Sequence, residues 1–185
     1  METAKSIRWW GLALFVVVVG LTRLIPHPPN FTPVLAVALF AGAKSRSPFW
    51  AVGLPVLAML LGDLFLGFHL SMVATYSALV VIALFGRAWF KKGPSSGVLK
   101  VVAGSFSAAL LFFVITNFFV WATSGLYVKS AEGLVQCYVA ALPFFNQSMI
   151  STLLYASGMF AVWSLAEKAW PELFLVPQRL VTDQK

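Results

Sequence analysis

The stretch Pro48-Phe-Trp-Ala-Val-Gly-Leu-Pro-Val-Leu-Ala-Met-Leu-Leu-Gly-Asp-Leu-Phe-Leu-Gly-Phe68 decides the fold class. At about 20 residues per crossing it is long enough to span a bilayer as a helix. Its single charge is Asp63. A carboxylate near mid-membrane costs roughly 2.5–3.5 kcal/mol on insertion scales, so it is expected to face the protein interior and to have a partner. Pro55 marks a possible kink in this span.

The rest of the chain repeats the pattern. Of 185 residues, 60% are apolar, 15% aromatic and only 10% charged. The mean hydropathy is +0.88. Soluble domains carry about 25% charged residues, so this chain lacks the charges for a water-facing shell. The composition argues against a soluble enzyme, a disordered regulator, a disulfide scaffold and a nucleic-acid binder. Further apolar spans are read at about 8–24, 31–43, 70–85, 101–123 and 145–166, beside 48–68. Pro26, Pro28 and Pro29 forbid a helix between the first two. The segment 133–142 is too short to cross and is read as a half-helix or a surface helix ended by Pro143. The tail 167–185 is read as interfacial. The expected fold is all-α: one integral membrane domain over 1–185, with six transmembrane helices and a short half-helix before the last.

Lys5 and Arg8 precede an apolar run, as in a signal peptide. Thr22-Arg23-Leu24 stands where a small-residue cleavage site belongs, so the segment is read as a retained first span. With the N-terminus cytoplasmic, Lys5, Arg8, Lys44, Arg46, Arg87, Lys91, Lys92, Lys100, Lys168, Arg179 and Lys185 fall inside. Of the 13 cations, only Arg23 and Lys129 fall outside. Six spans with both termini cytoplasmic thus satisfy the positive-inside rule at every loop. The net charge of +7 is therefore a topology signal and not a nucleic-acid signal. Trp9, Trp10, Trp50, Trp89, Trp163 and Trp170 fall near the inner interface, as an aromatic belt does. The expected location is a membrane, crossed several times, with the basic loops on its cytoplasmic side.

The polar residues left over gather in the outer third of the bilayer: Arg23, His27, Asn30, Asp63, His69, Asn117 and the group from Tyr127 to Gln147. This predicts a pocket open outward and closed below by apolar helices. Arg23 is the obvious partner of Asp63. The pair reads either as a tie between the first and third spans or as part of a ligand site or gate. Asn117 and Trp121, at i and i+4, share a helix face, read as interhelical anchors or as part of a ligand wall. His27 and His69 lack ordered carboxylate or cysteine companions, so no metal site is expected. Cys137 reads as a small buried thiol and excludes an internal disulfide. There is no GxSxG, HExxH, P-loop or hydrolase-like carboxylate pair. No enzyme activity and no cofactor are expected, and an ATP-driven role would need partner chains. Small-xxx-small pairs, Ala38/Gly42 and Gly104/Ala108, permit close helix approach, either within the chain or as a docking face.

Several stretches carry a family resemblance. They are Arg23-Leu-Ile-Pro-His-Pro-Pro-Asn-Phe-Thr-Pro-Val, Ala36-Val-Ala-Leu-Phe-Ala-Gly-Ala43, Asp63-Leu-Phe-Leu-Gly-Phe-His69, Thr116-Asn-Phe-Phe-Val-Trp121 and Cys137-Tyr-Val-Ala-Ala-Leu-Pro-Phe-Phe-Asn146. Across about 8–166 the chain resembles a family of small bacterial six-helix membrane transport proteins. That family is related to the S components of energy-coupling factor (ECF) transporters. The resemblance implies a substrate-binding membrane protein for uptake of a vitamin or similar small molecule, cobalamin being one candidate. It implies energising ECF transmembrane and ATPase subunits as partners. The family's outer-side motifs fall on Arg23, His27, Asn30, Asp63, His69, Asn117, Trp121, Tyr138 and Asn146, which the resemblance marks as substrate-binding candidates. The alternative is a non-transport partner or scaffold subunit of a larger membrane complex.

Overall fold

The computed structural model describes residues 14–91 and 97–170. Every regular element among them is helical. The first helix, α1, is described over 14–22. It is followed by α2 (Val34–Lys44), α3 (Pro48–Leu66), α4 (Met72–Phe90), α5 (Val98–Thr123) and α6 (Ala131–Ala169). The helices α3, α4, α5 and α6 are long and apolar enough to cross a membrane.

The short helix α2 is the centre of the bundle. Pro33 sits at its start, where a fixed φ and a missing N–H do no harm. Its sequence, VLAVALFAGAK, is apolar on every side until Lys44, the pattern of a helix buried all round. Val34 to Leu39, Ala41 and Gly42 are all buried. The helices α3, α4, α5 and α6 pack around it. With 11 residues, α2 rises about 16 Å, roughly half a hydrocarbon core. A non-helical segment of turns and bends, 23–33, precedes it.

Glycines set the tightest approaches. A Cβ on Gly42 would stand 2.1 Å from the Ala83 carbonyl oxygen, and one on Gly86 would stand 2.5 Å from that of Leu39. The α2 and α4 backbones therefore touch. Gly104 lies against the Trp89 and Phe90 side chains. The small-residue faces at Gly42 and Gly104 are thus filled within the chain, and neither is a free docking face.

The expected break at Pro143 does not occur. Instead of a half-helix and a separate last span, α6 is one helix of 39 residues with Pro143 inside it. A proline removes one helical hydrogen bond, whereas a break would strand several backbone groups at each new end. In a bilayer such groups are more costly than one proline defect. Packing also holds both flanks. Tyr138 donates to the Val114 carbonyl at 2.8 Å on one side of Pro143, and Ser151 donates to the Asn30 carbonyl at 3.3 Å on the other. Ser130 caps the helix start by accepting from Gly133 N–H at 3.2 Å.

A cluster of basic residues and tryptophans gathers at one end of the bundle. Arg87 donates to the carbonyls of Ser45 and Arg46. Lys44 lies 3.7 Å from the Glu167 carboxylate and 5.1 Å from the Trp163 ring. Trp89 donates to the Lys100 carbonyl. Trp121 lies at the opposite end. Of the residues assigned to the cytoplasmic side, Lys5, Arg8, Lys92, Arg179 and Lys185 fall outside the described residues, as do Trp9, Trp10 and 171–185 of the tail.

Candidate ligand-binding site

At the end away from the basic cluster the bundle opens into a cavity of about 590 Å³. Pockets for small molecules run from about 300 to 1,000 Å³. Loops and helices build it together. The α1–α2 loop brings Arg23, His27, Asn30 and Thr32, and the α3–α4 turn brings His69 and Ser71. Val34, Leu35, Met59 and Leu79 add aliphatic surface from α2, α3 and α4. The α5–α6 hairpin supplies an aromatic wall of Phe112, Phe113, Phe144 and Phe145, with Thr116, Asn117 and Ser148 among them.

The loop geometry is specified locally. Asn30 has φ +62°, a left-handed conformation that Asn tolerates better than most residues. Its carbonyl accepts from Ser151, which fixes the loop against α6. Gly67 ends α3 with φ +90° and turns the chain toward His69.

The charged element is the pair Arg23–Asp63. Asp63 is 1% exposed, and Arg23 Nη1 lies 2.6 Å from its Oδ1. Nη1 also donates to the Met59 carbonyl at 2.8 Å. The second carboxylate oxygen accepts from the Tyr76 hydroxyl at 2.8 Å. Asp63 thus has its expected cation and a second donor from α4. Gly62 makes the room, since a Cβ there would stand 2.6 Å from Arg23 Nη1. Among the described residues, no partner is present for Arg23 Nε or Nη2. Arg23 itself lines the cavity.

The other polar residues are anchored locally. His27 Nδ1 lies 2.8 Å from the Pro28 carbonyl, so it carries the proton and leaves Nε2 uncommitted. His69 Nδ1 pairs with the Ser71 hydroxyl at 2.6 Å. Asn117 donates one amide hydrogen to the Phe113 carbonyl at 2.8 Å. Groups of three or more potential metal ligands are absent among the described residues.

Of the nine candidate residues, Arg23, His27, Asn30, His69 and Asn117 line the cavity. Asp63 stands behind Arg23. Trp121, Tyr138 and Asn146 do not line it. Trp121 donates to the Val128 carbonyl and carries Lys129 over its ring at 5.4 Å. Tyr138 ties α6 to α5, and Asn146 is exposed. Sequence reasoning missed Thr32, Ser71, Thr75, Thr116 and Ser148, as well as Tyr76. A tyrosine hydroxyl at membrane depth demands a partner, which was the one signal available for Tyr76.

The profile of one protein family matches residues 3–173, nearly the whole chain. The chain belongs to the DUF6580 family. That family is described as one of unknown function. No curated protein and no solved structure matches the chain. The cavity of this DUF6580 protein therefore has to be interpreted from its own chemistry.

Proposed function

We propose that the protein is a substrate-binding subunit of the bacterial cytoplasmic membrane, similar in plan to the S components of ECF transporters. It captures a vitamin-like small molecule in the cavity from the outer side. Energy comes from partner transmembrane and ATPase subunits, because the chain carries no nucleotide motif. In this reading the chain crosses six times with both termini cytoplasmic. The second crossing is completed by the non-helical 25–33 segment, which is tolerated at membrane depth because it lines a cavity.

The observation that carries the reading is the joint placement of cavity and charge. A half-open chamber with polar groups from several segments lies at one end, and the basic, tryptophan-rich cluster lies at the other. The positive-inside rule directs that cluster to the cytoplasm, so the chamber opens outward. The chamber favours a ligand-binding role over that of a scaffold subunit.

The test is ligand capture by the purified full chain. Native mass spectrometry should find a stoichiometric small molecule, and a vitamin panel should raise the Tm. Thr116→Trp, which fills the cavity, should abolish both effects while the protein stays folded. Ligand binding unchanged in Thr116→Trp would remove the cavity from the account.

A further inference from the structure

Resting on the reading of the cavity as a ligand site, we infer that its ligand is a small carboxylic acid with an apolar, aromatic-sized body. The carboxylate sits on the open edge of the Arg23 guanidinium, and the body lies against the phenylalanine wall.

The argument begins with the charges that line the cavity. Among the described residues, Arg23 is the one permanently charged side chain there, and no aspartate, glutamate or lysine joins it. Asp63 offers nothing to a ligand: it is 1% exposed and both oxygens are engaged, one by Arg23 and one by Tyr76. A cationic ligand would meet a guanidinium and no counter-charge. An anion meets the reverse situation. Nη1 alone serves Asp63 and Met59, so Nε–H and the Nη2 hydrogens remain for a second acceptor. That edge is a planar fork matched to the two oxygens of a carboxylate.

The number of charges restricts the anion further. One guanidinium, already shared with Asp63, suits a monoanion, whereas a phosphate ester would call for further cations that the wall lacks. Donors for the anion's remaining lone pairs line the same wall: the Thr32 hydroxyl, the second amide hydrogen of Asn117 and the His69 ring, whose Nδ1 is held by Ser71. The low dielectric around them strengthens each bond. Phe112, Phe113, Phe144 and Phe145 supply the surface that a flat apolar body requires.

The experiment uses the full chain in mild detergent and matched probes that differ only at the acid group. The pairs are nicotinate with nicotinamide, biotin with biotinamide, and indole-3-acetate with indole-3-acetamide, with thiamine as the cation. Thermal shift and isothermal titration read binding. At least one acid is expected to bind ten-fold or more tightly than its amide. Arg23→Lys keeps the charge and loses the fork, and should weaken that acid several-fold. The double variant Arg23→Gln/Asp63→Asn leaves no unpaired buried charge, so it should fold and lose the acid preference entirely. In native mass spectra a bound free acid supports the inference, and a bound phospholipid in its place overturns it. Equal binding of acid and amide, or preference for thiamine, overturns the carboxylate inference and leaves the ligand-site reading standing. Binding of no probe and no bound mass in the native spectrum overturns both.

Discussion

Arg87 and Arg23 hold opposite ends of the same bundle, and they are used differently. Arg87 places Nη1 2.9 Å from the Ser45 carbonyl and Nη2 3.1 Å from that of Arg46. It thereby satisfies two carbonyls of the connection between α2 and α3, at the C-cap of α2 and the residue after it. Around it Lys44, Glu167 and Trp163 complete one another, and Phe90 stacks on Phe160 at 4.8 Å. Arg23 commits a single nitrogen to protein partners and keeps the rest of its fork at the cavity. One end is finished by its own side chains. The other is built to be finished by something else.

The comparison assumes a rigid middle, and the largest expected effect comes from breaking it. Gly42→Leu would drive a side chain into the Ala83 carbonyl, where a Cβ alone already stands at 2.1 Å. Overpacking typically costs about 1–3 kcal/mol, and more where only backbone could yield. Loss of monodisperse protein in size-exclusion chromatography is expected. The matched control is Gly53→Ala, whose Cβ meets nothing within 4 Å. It should be neutral or should stabilise by up to about 1 kcal/mol through helix propensity. A Gly42→Leu protein with unchanged Tm would refute the tight α2–α4 crossing.

The next effect separates the two arginines. Asp63→Ala leaves Arg23 without its counter-charge, and breaking a buried pair costs about 3–5 kcal/mol. Because the Arg23 side chain is 12% exposed, the lower end of that range is expected. At about 2–4 °C per kcal/mol for a chain of this size, the Tm should fall by roughly 6–12 °C. Adding Arg23→Gln should restore most of it. Full stability of Asp63→Ala alone would mean that the pair carries no structural weight.

Arg87→Gln should be milder. It removes two hydrogen bonds, each worth about 1 kcal/mol, to carbonyls that water reaches at the bundle end. The Tm should fall by about 4–8 °C, and ligand affinity should not change. A change in affinity would show that the two ends are coupled and would end the division of labour between them.

How much of this was legible before folding follows from what a bilayer enforces. Long apolar runs and clustered cations are properties of a chain in a slab, so α3, α4, α5 and the basic end could be read directly. Arg23 and Asp63 could be paired because few opposite charges share their depth. Pro143 could not be resolved, because whether a proline breaks a helix depends on what holds its flanks, here Tyr138 and Ser151. The cavity hydroxyls escaped notice for another reason. Thr116 and Ser148 each donate to the carbonyl four residues back, as intramembrane hydroxyls commonly do. Which of them also borders a cavity is decided by helix rotation, and a list of residues at one depth does not contain rotation. Depth placed Trp121 and Tyr138 beside Asn117, whereas their orientation turns them to the backbone of the α5–α6 hairpin.

That last distinction yields the smallest and most specific expectation. Tyr138→Phe removes one donor from the Val114 carbonyl and leaves the ring, which packs edge-on to Phe113 at 5.3 Å. Hydrogen bonds between membrane helices average about 0.6 kcal/mol, with a maximum near 1.7. The Tm should therefore fall by about 1–3 °C at the conversion used above. Ligand affinity should hold within two-fold, because the hydroxyl faces α5 and not the cavity. Asn117→Ala is the paired measurement on the same hairpin. Asn117 lines the cavity with part of its amide uncommitted, so affinity should fall about ten-fold while stability changes little. If instead Tyr138→Phe reduced affinity as much as Asn117→Ala, the wall would have to include the hairpin's far face. The boundary drawn between residues that hold the chamber and residues that border it would then be in the wrong place.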